Sequence, residues 1–101
     1  MRVIVFFDLP VLTERNRKDY REFRKVLIKL GFMMMQESVY CKLVQNSTAA
    51  DAVIDNIKKH RPNAGIVQLL KITEKQYSSI EYIVGNKVSD ILDSDEKLVI
   101  I

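Results

Sequence analysis

Val3 to Phe7 reads VIVFF, an unbroken run of β-branched and aromatic residues closed by Asp8-Leu9-Pro10. These residue types suit a pleated backbone, and a run without polar alternation predicts a central strand buried on both faces. Pro10 lacks a backbone donor, so the strand ends there. Such a strand needs a neighbour on each side and a cover above and below, and the rest of the chain must supply them.

The spacing of apolar residues predicts a helix from about Thr13 to Leu30. Thr13 is placed to cap it, Tyr20, Phe23, Leu27 and Leu30 form one stripe at helical period, and Gly31 supplies a left-handed stop. Phe32 to Val44 is strand-like but interrupted by Gln36-Glu37-Ser38, which predicts a hairpin or two strand segments joined through a bulge. A second helix follows the capping residues Asn46-Ser47-Thr48, with Ala50, Val53, Ile54 and Ile57 as its buried stripe and His60-Arg61-Pro62-Asn63 as its end. Gly65 then opens the strand IVQLLKI.

The order strand, helix, strand, strand, helix, strand predicts an α+β sandwich of the ferredoxin-like β-α-β-β-α-β kind over residues 1–73. Two helices cover one face of the antiparallel sheet. Val3, Val5, Val39, Cys41, Val67 and Leu69, or their alternates, would then line an open face too apolar for water, which predicts a face-to-face homodimer. Residues 74–101 hold two short strand-like pieces, Tyr82-Ile83-Val84-Gly85 and Leu98-Val99-Ile100-Ile101. Neither is stable alone, and both are expected to add to a partner's sheet.

With 101 residues the chain forms one core and has no room for a deep cleft between domains. One cysteine, Cys41, excludes an internal disulfide, and no Cys/His spacing suggests zinc. No signal-like segment or apolar run of about 20 residues is present, so a cytoplasmic protein without membrane attachment is expected. The net charge of +3 conceals an asymmetry: residues 1–75 carry 14 Lys and Arg against 8 Asp and Glu, and residues 76–101 carry 2 against 5. A basic body facing an acidic tail invites a polyanion at the body and a protein at the tail.

Two features carry candidate chemistry. Asp8 is a carboxylate at the carboxyl end of the first strand, and it either caps the following turn or serves a metal or catalytic role. One carboxylate cannot satisfy magnesium, but a two-fold axis near the strand end would bring two Asp8 side chains together, to share a proton or hold a cation. The first helix holds Arg15, Arg17, Lys18, Arg21, Arg24, Lys25 and Lys29 against only Glu14, Asp19 and Glu22. Its arginine excess points to phosphate contact, and without a Gly-rich phosphate loop or an aromatic strand platform it suits the backbone of a duplex. His60 reads as a helix cap, Met33-Met34-Met35 as gap-filling core, Tyr40 and Tyr82 as packing, and Ser38 lacks the relay that a nucleophile needs.

FFDLP after strand one, FRKVLIKLGF closing the Arg-rich helix, and MQESVYCKLV together resemble the CRISPR-associated Cas2 family, the small subunit of the spacer-acquisition machinery. GIVQLLKITEKQY and SDEKLVII resemble its type II-A members in particular. The resemblance covers nearly the whole chain. It implies a ferredoxin-like homodimer whose last strand crosses to the other protomer, held between two dimers of the larger acquisition integrase, with captured double-stranded DNA as ligand. It also implies, as in some members, metal-dependent cleavage of RNA or duplex DNA, with Asp8 as the catalytic residue and Mg2+ ligand. The family often has Tyr directly before this aspartate, where the present chain has Phe7. By location the family's DNA contacts fall on Arg15, Arg17, Lys18 and Arg21, and Lys97, Leu98, Val99 and Ile100 are the expected partner contacts. Without the resemblance, the same fold would read as a non-catalytic regulatory or protein-interaction module.

Overall fold

The computed structural model describes residues 1–85. Its elements run β1 (Arg2–Asp8), α1 (Glu14–Lys29), β2 (Met33–Gln36), β3 (Val39–Leu43), α2 (Ser47–Lys59), β4 (Ile66–Ile72) and α3 (Glu74–Ser78). The sheet order β2-β3-β1-β4 puts the VIVFF strand inside, antiparallel to both neighbours. This is the ferredoxin-like arrangement expected for residues 1–73. Among the described residues no helix is long and apolar enough to cross a membrane.

Local chemistry accounts for the boundaries. The Thr13 side chain accepts from the Asn16 N–H at 3.0 Å while the Asn16 side chain accepts from the Thr13 N–H, a reciprocal cap on α1. Gly31 ends that helix at φ +96°. Asn46, not Ser47 or Thr48, caps α2, and His60 closes it with Nδ1 2.9 Å from the Asn56 carbonyl oxygen. The β2–β3 hairpin turns through Glu37 and Ser38, with Ser38 at φ 65°, so of the two alternatives for this stretch the hairpin is the one formed, with an irregularity in its pairing between Met34 and Gln36.

Core packing joins β1 to the helices. Val3, Val5 and Phe7 point toward Phe23 and Leu27 of α1 and Ala50 and Ile57 of α2. Phe7 meets Phe23 edge-on at 5.3 Å and stacks on Tyr40 at 5.7 Å. Burying Phe23, Leu27 and Ile57 contributes about 2 to 3 kcal/mol each.

The register corrects the expected open face. Residues directly opposite share a face, and Ile4 pairs with Cys41 and Leu70 while Phe6 pairs with Val39 and Gln68. Val3, Val5, Val67 and Leu69 therefore face the helices, and the open face consists of Ile4, Phe6, Val39, Cys41, Ile66 and Leu70 with Leu43 and Met33 beside them. Val39 and Cys41 thus lie on the opposite side of the sheet from Val3 and Val5, not on one face with them as expected. Met33 and Met34 are not core: they are 58% and 49% exposed on the edge strand β2. Tyr82 is likewise unpacked at 40% exposure, and residues 82–85 pair with no strand among the described residues.

Helix α3 is an addition to the expected elements. Thr73 and Gln76 form a second reciprocal cap, and Arg2 ties the helix to the sheet through Glu74, at 2.9 and 3.3 Å, and through the Tyr77 ring, 3.9 Å from its guanidinium. The expected terminal strand Leu98–Ile101, and with it Lys97, Leu98, Val99 and Ile100, lies outside the described residues.

Candidate nucleic-acid interface and carboxylate site

The end of β1 is held by close backbone packing. Asp8 pairs with Ile66, and Gly65 sits against the same turn at φ +95°. A Cβ on Gly65 would lie 2.6 Å from the Asp8 carbonyl oxygen and 3.0 Å from Leu9 Cα, so only glycine permits this approach. Gly65→Ala is expected to cost about 2 kcal/mol or more, since the left-handed backbone alone penalises a side chain by roughly 1–2 kcal/mol. Urea denaturation measures it, and a variant as stable as the parent would show that the turn can shift freely.

Asp8 does not cap the turn. Thr13 caps α1, and the hydrogen bonds at this junction belong to Thr13, Asn16 and Arg17. The ion pairs among the described residues run to Glu74 and Asp51, which leaves the exposed Asp8 carboxylate unengaged there. It lines an open depression on the sheet's free face with Phe6, Phe7, Ser38, Val39, Ile66 and Gln68. Ser38 and Gln68 thus stand beside it, on the hairpin and the strand that flank β1. Strand pairing was the signal for Gln68, two residues from Ile66 on the same face, but it becomes usable only once the β1–β4 register is known.

Hard oxygen donors of carboxylate, amide and hydroxyl type suit magnesium, which prefers oxygen ligands and keeps several waters. A single chain supplies one anion here, and among the described residues no three His, Cys, Asp or Glu side chains gather to hold a metal. The residues fit half of a magnesium site. Cys41 is no alternative nucleophile: burial pushes its thiol above the ordinary value, only partly opposed by its contact with Arg2. Arg2 itself is disfavoured as a cation by partial burial, but its bonds to Glu74 and Cys41 outweigh this and hold its pKa above the ordinary value.

Arg15, Arg17, Lys18 and Arg21 lie on the first half of α1 and are all exposed, with Arg17 turned back on the loop before the helix. Successive helical residues are about 100° apart, so Arg21 lies between Arg17 and Lys18, and Arg15 flanks Lys18 on the far side. The four form one basic band at the Asp8 end of the sheet. They differ in their commitments. Arg17 donates to the carbonyls of Val11 and Leu12 at 3.1 and 3.3 Å, and Arg24 further along donates to the Tyr40 hydroxyl at 2.8 Å. Arg15, Lys18 and Arg21 make no ion pair among the described residues.

Comparison with known proteins agrees with this architecture. The chain is 52% identical over 101 residues, all of both chains, to the CRISPR-associated endoribonuclease Cas2 of Treponema denticola. It is 44% identical over 99 residues to the protein of the same name from Streptococcus mutans serotype c, covering 98% of this chain and 91% of that one. The crystal structure of Streptococcus pyogenes Cas2 superimposes with a TM-score of 0.62 at 19% identity, over 83% of this chain and all of that one, which shows the shared fold. Residues 1–80 match the family described as CRISPR associated protein Cas2, and the chain belongs to that family.

Proposed function

We propose that the chain serves in CRISPR spacer acquisition as a homodimer closed through its open sheet faces, presenting two α1 bands to captured duplex DNA and bridging dimers of the acquisition integrase. The observation that carries this reading is the free face itself: Phe6, Met33, Leu43, Ile66 and Leu70 are 36 to 59% exposed on one side of a sheet whose other side packs on the helices. A second copy is the occupant whose own exposed apolar face would cover it. Two-fold pairing doubles the basic band, and spacing between the copies sets the separation of the integrase dimers. Lys97 to Ile100 would reach the other protomer or the integrase.

The same pairing would complete the carboxylate site. Two Asp8 side chains, one from each copy, would hold a magnesium ion, with Ser38 and Gln68 lining its surroundings. Magnesium bound there supplies Lewis-acid activation of water and neutralises charge on a scissile phosphate. No second acid or base stands at the depression among its lining residues, so Asp8 would act only by binding, and cleavage of RNA or DNA would be slow. The name endoribonuclease carried by the relatives supports phosphodiester cleavage as the activity.

Duplex binding tests the architectural reading. Removing Lys18 or Arg21 with Ala is expected to weaken binding of a 30-base-pair duplex and to reduce the slope of log affinity against log salt by about 0.9 for each phosphate that is no longer neutralised. Titration across salt concentrations reads both quantities. A parent protein with no salt-sensitive affinity would leave the interaction-module reading in its place.

A further inference from the structure

Leu12 is 88% exposed and Val11 53% exposed, yet the backbone of both is fixed. Leu12 directly precedes the helix cap Thr13, and Arg17 is the fourth residue of α1. These two positions ordinarily carry an apolar pair that packs together and fixes the chain's entry into the helix. Here arginine stands at the inner position. Its guanidinium takes the Val11 and Leu12 carbonyls, so the loop is held by its backbone and the leucine side chain is left without its usual partner. Pro10 stiffens the approach from the other side. The result is an apolar pair held in place on the protein surface at the start of the basic band.

We propose that Val11 and Leu12 form a fixed apolar finger that packs against the sugar and base edges of the duplex whose phosphates the α1 band holds, with Arg17 as its positioning residue. Charge complementarity selects the occupant: Arg15, Lys18 and Arg21 begin three residues beyond Leu12, so the finger adjoins the band on which a polyanion would lie. Apolar side chains beside basic contacts engage grooves in this way without reading phosphate. Arg17 uses one nitrogen on the loop and retains its other donors for the backbone of the duplex. The inference rests on the DNA-binding reading but predicts a different signature.

The test titrates a fluorescent 30-base-pair duplex with the full chain at several salt concentrations, for the parent and for Leu12→Ser, Leu12→Ala and Arg17→Lys. Both Leu12 variants are expected to bind about tenfold more weakly at every salt concentration with the salt slope unchanged, because an apolar contact releases no counterions. Arg17→Lys keeps the charge but replaces the planar guanidinium, whose Nη1 reaches both carbonyls while its other donors stay free, by a single ammonium, so it should also lose affinity at constant slope. Thermal unfolding is expected to be unaltered for Leu12→Ser, since an exposed side chain contributes little to the fold. Parent-like affinity of both Leu12 variants would overturn the proposal and assign the finger to a protein partner. Absence of duplex binding by the parent itself would overturn the DNA-binding reading, and the finger with it.

Discussion

Asp8→Asn is expected to lower magnesium-dependent cleavage of RNA and duplex DNA by about 100-fold or more, with fold, dimerisation and duplex affinity unchanged. The amide keeps the shape of the side chain and removes the anion. A loss of about 100-fold is about 2.7 kcal/mol of transition-state stabilisation, within the range of a metal-centred electrostatic effect. Stability should hold because the carboxylate is exposed and unengaged by other described residues. Single-turnover cleavage of labelled substrates by the purified variant measures the effect. Parent-like cleavage would place the chemistry elsewhere, while loss of cleavage with intact spacer acquisition would separate the catalytic role from the architectural one.

Leu70→Glu is expected to have the larger structural consequence. Leu70 is 50% exposed beside Ile4 on the free face, so the single chain can hydrate the new carboxylate and keep its fold. In a face-to-face dimer the same substitution buries two unpaired charges, one from each copy, at a cost of several kcal/mol. The dissociation constant should rise by about 1,000-fold or more. Because each copy carries one basic band, the salt slope of duplex binding should fall to about half in the monomer. Circular dichroism with light scattering checks the fold and the association, and a variant that still dimerises would remove the sheet face from the interface.

Helix α1 was legible in the sequence because its information is local: Thr13, the Tyr20-Phe23-Leu27-Leu30 stripe and Gly31 each act within a turn or two. The side assignment of the sheet was not. VIVFF is apolar at every position, so alternation cannot say which of Val5 and Phe6 meets the helices. That choice is settled by cross-strand register, in which Phe6 lies opposite Val39 and Gln68. Helix α3 is hidden for a different reason. Thr73-Glu74-Lys75-Gln76 is a capping-box spacing, but five residues bury nothing of their own, and the helix depends on Arg2 far away in the chain. At the carboxylate site, Asp8 stood out by its place after the strand, whereas Ser38 and Gln68 join it only through tertiary pairing. The finger at Leu12 was hidden similarly, since the commitment of Arg17 to the loop carbonyls cannot be read from charge.

The proposed activities depend on two copies acting as one unit, and sedimentation equilibrium of the full chain at micromolar concentration tests that directly. A species of twice 11.7 kDa is expected for the parent and for Asp8→Asn, with Leu70→Glu falling to a single 11.7 kDa chain. A parent that sediments as one 11.7 kDa chain while retaining cleavage and duplex binding would contradict the two-copy unit.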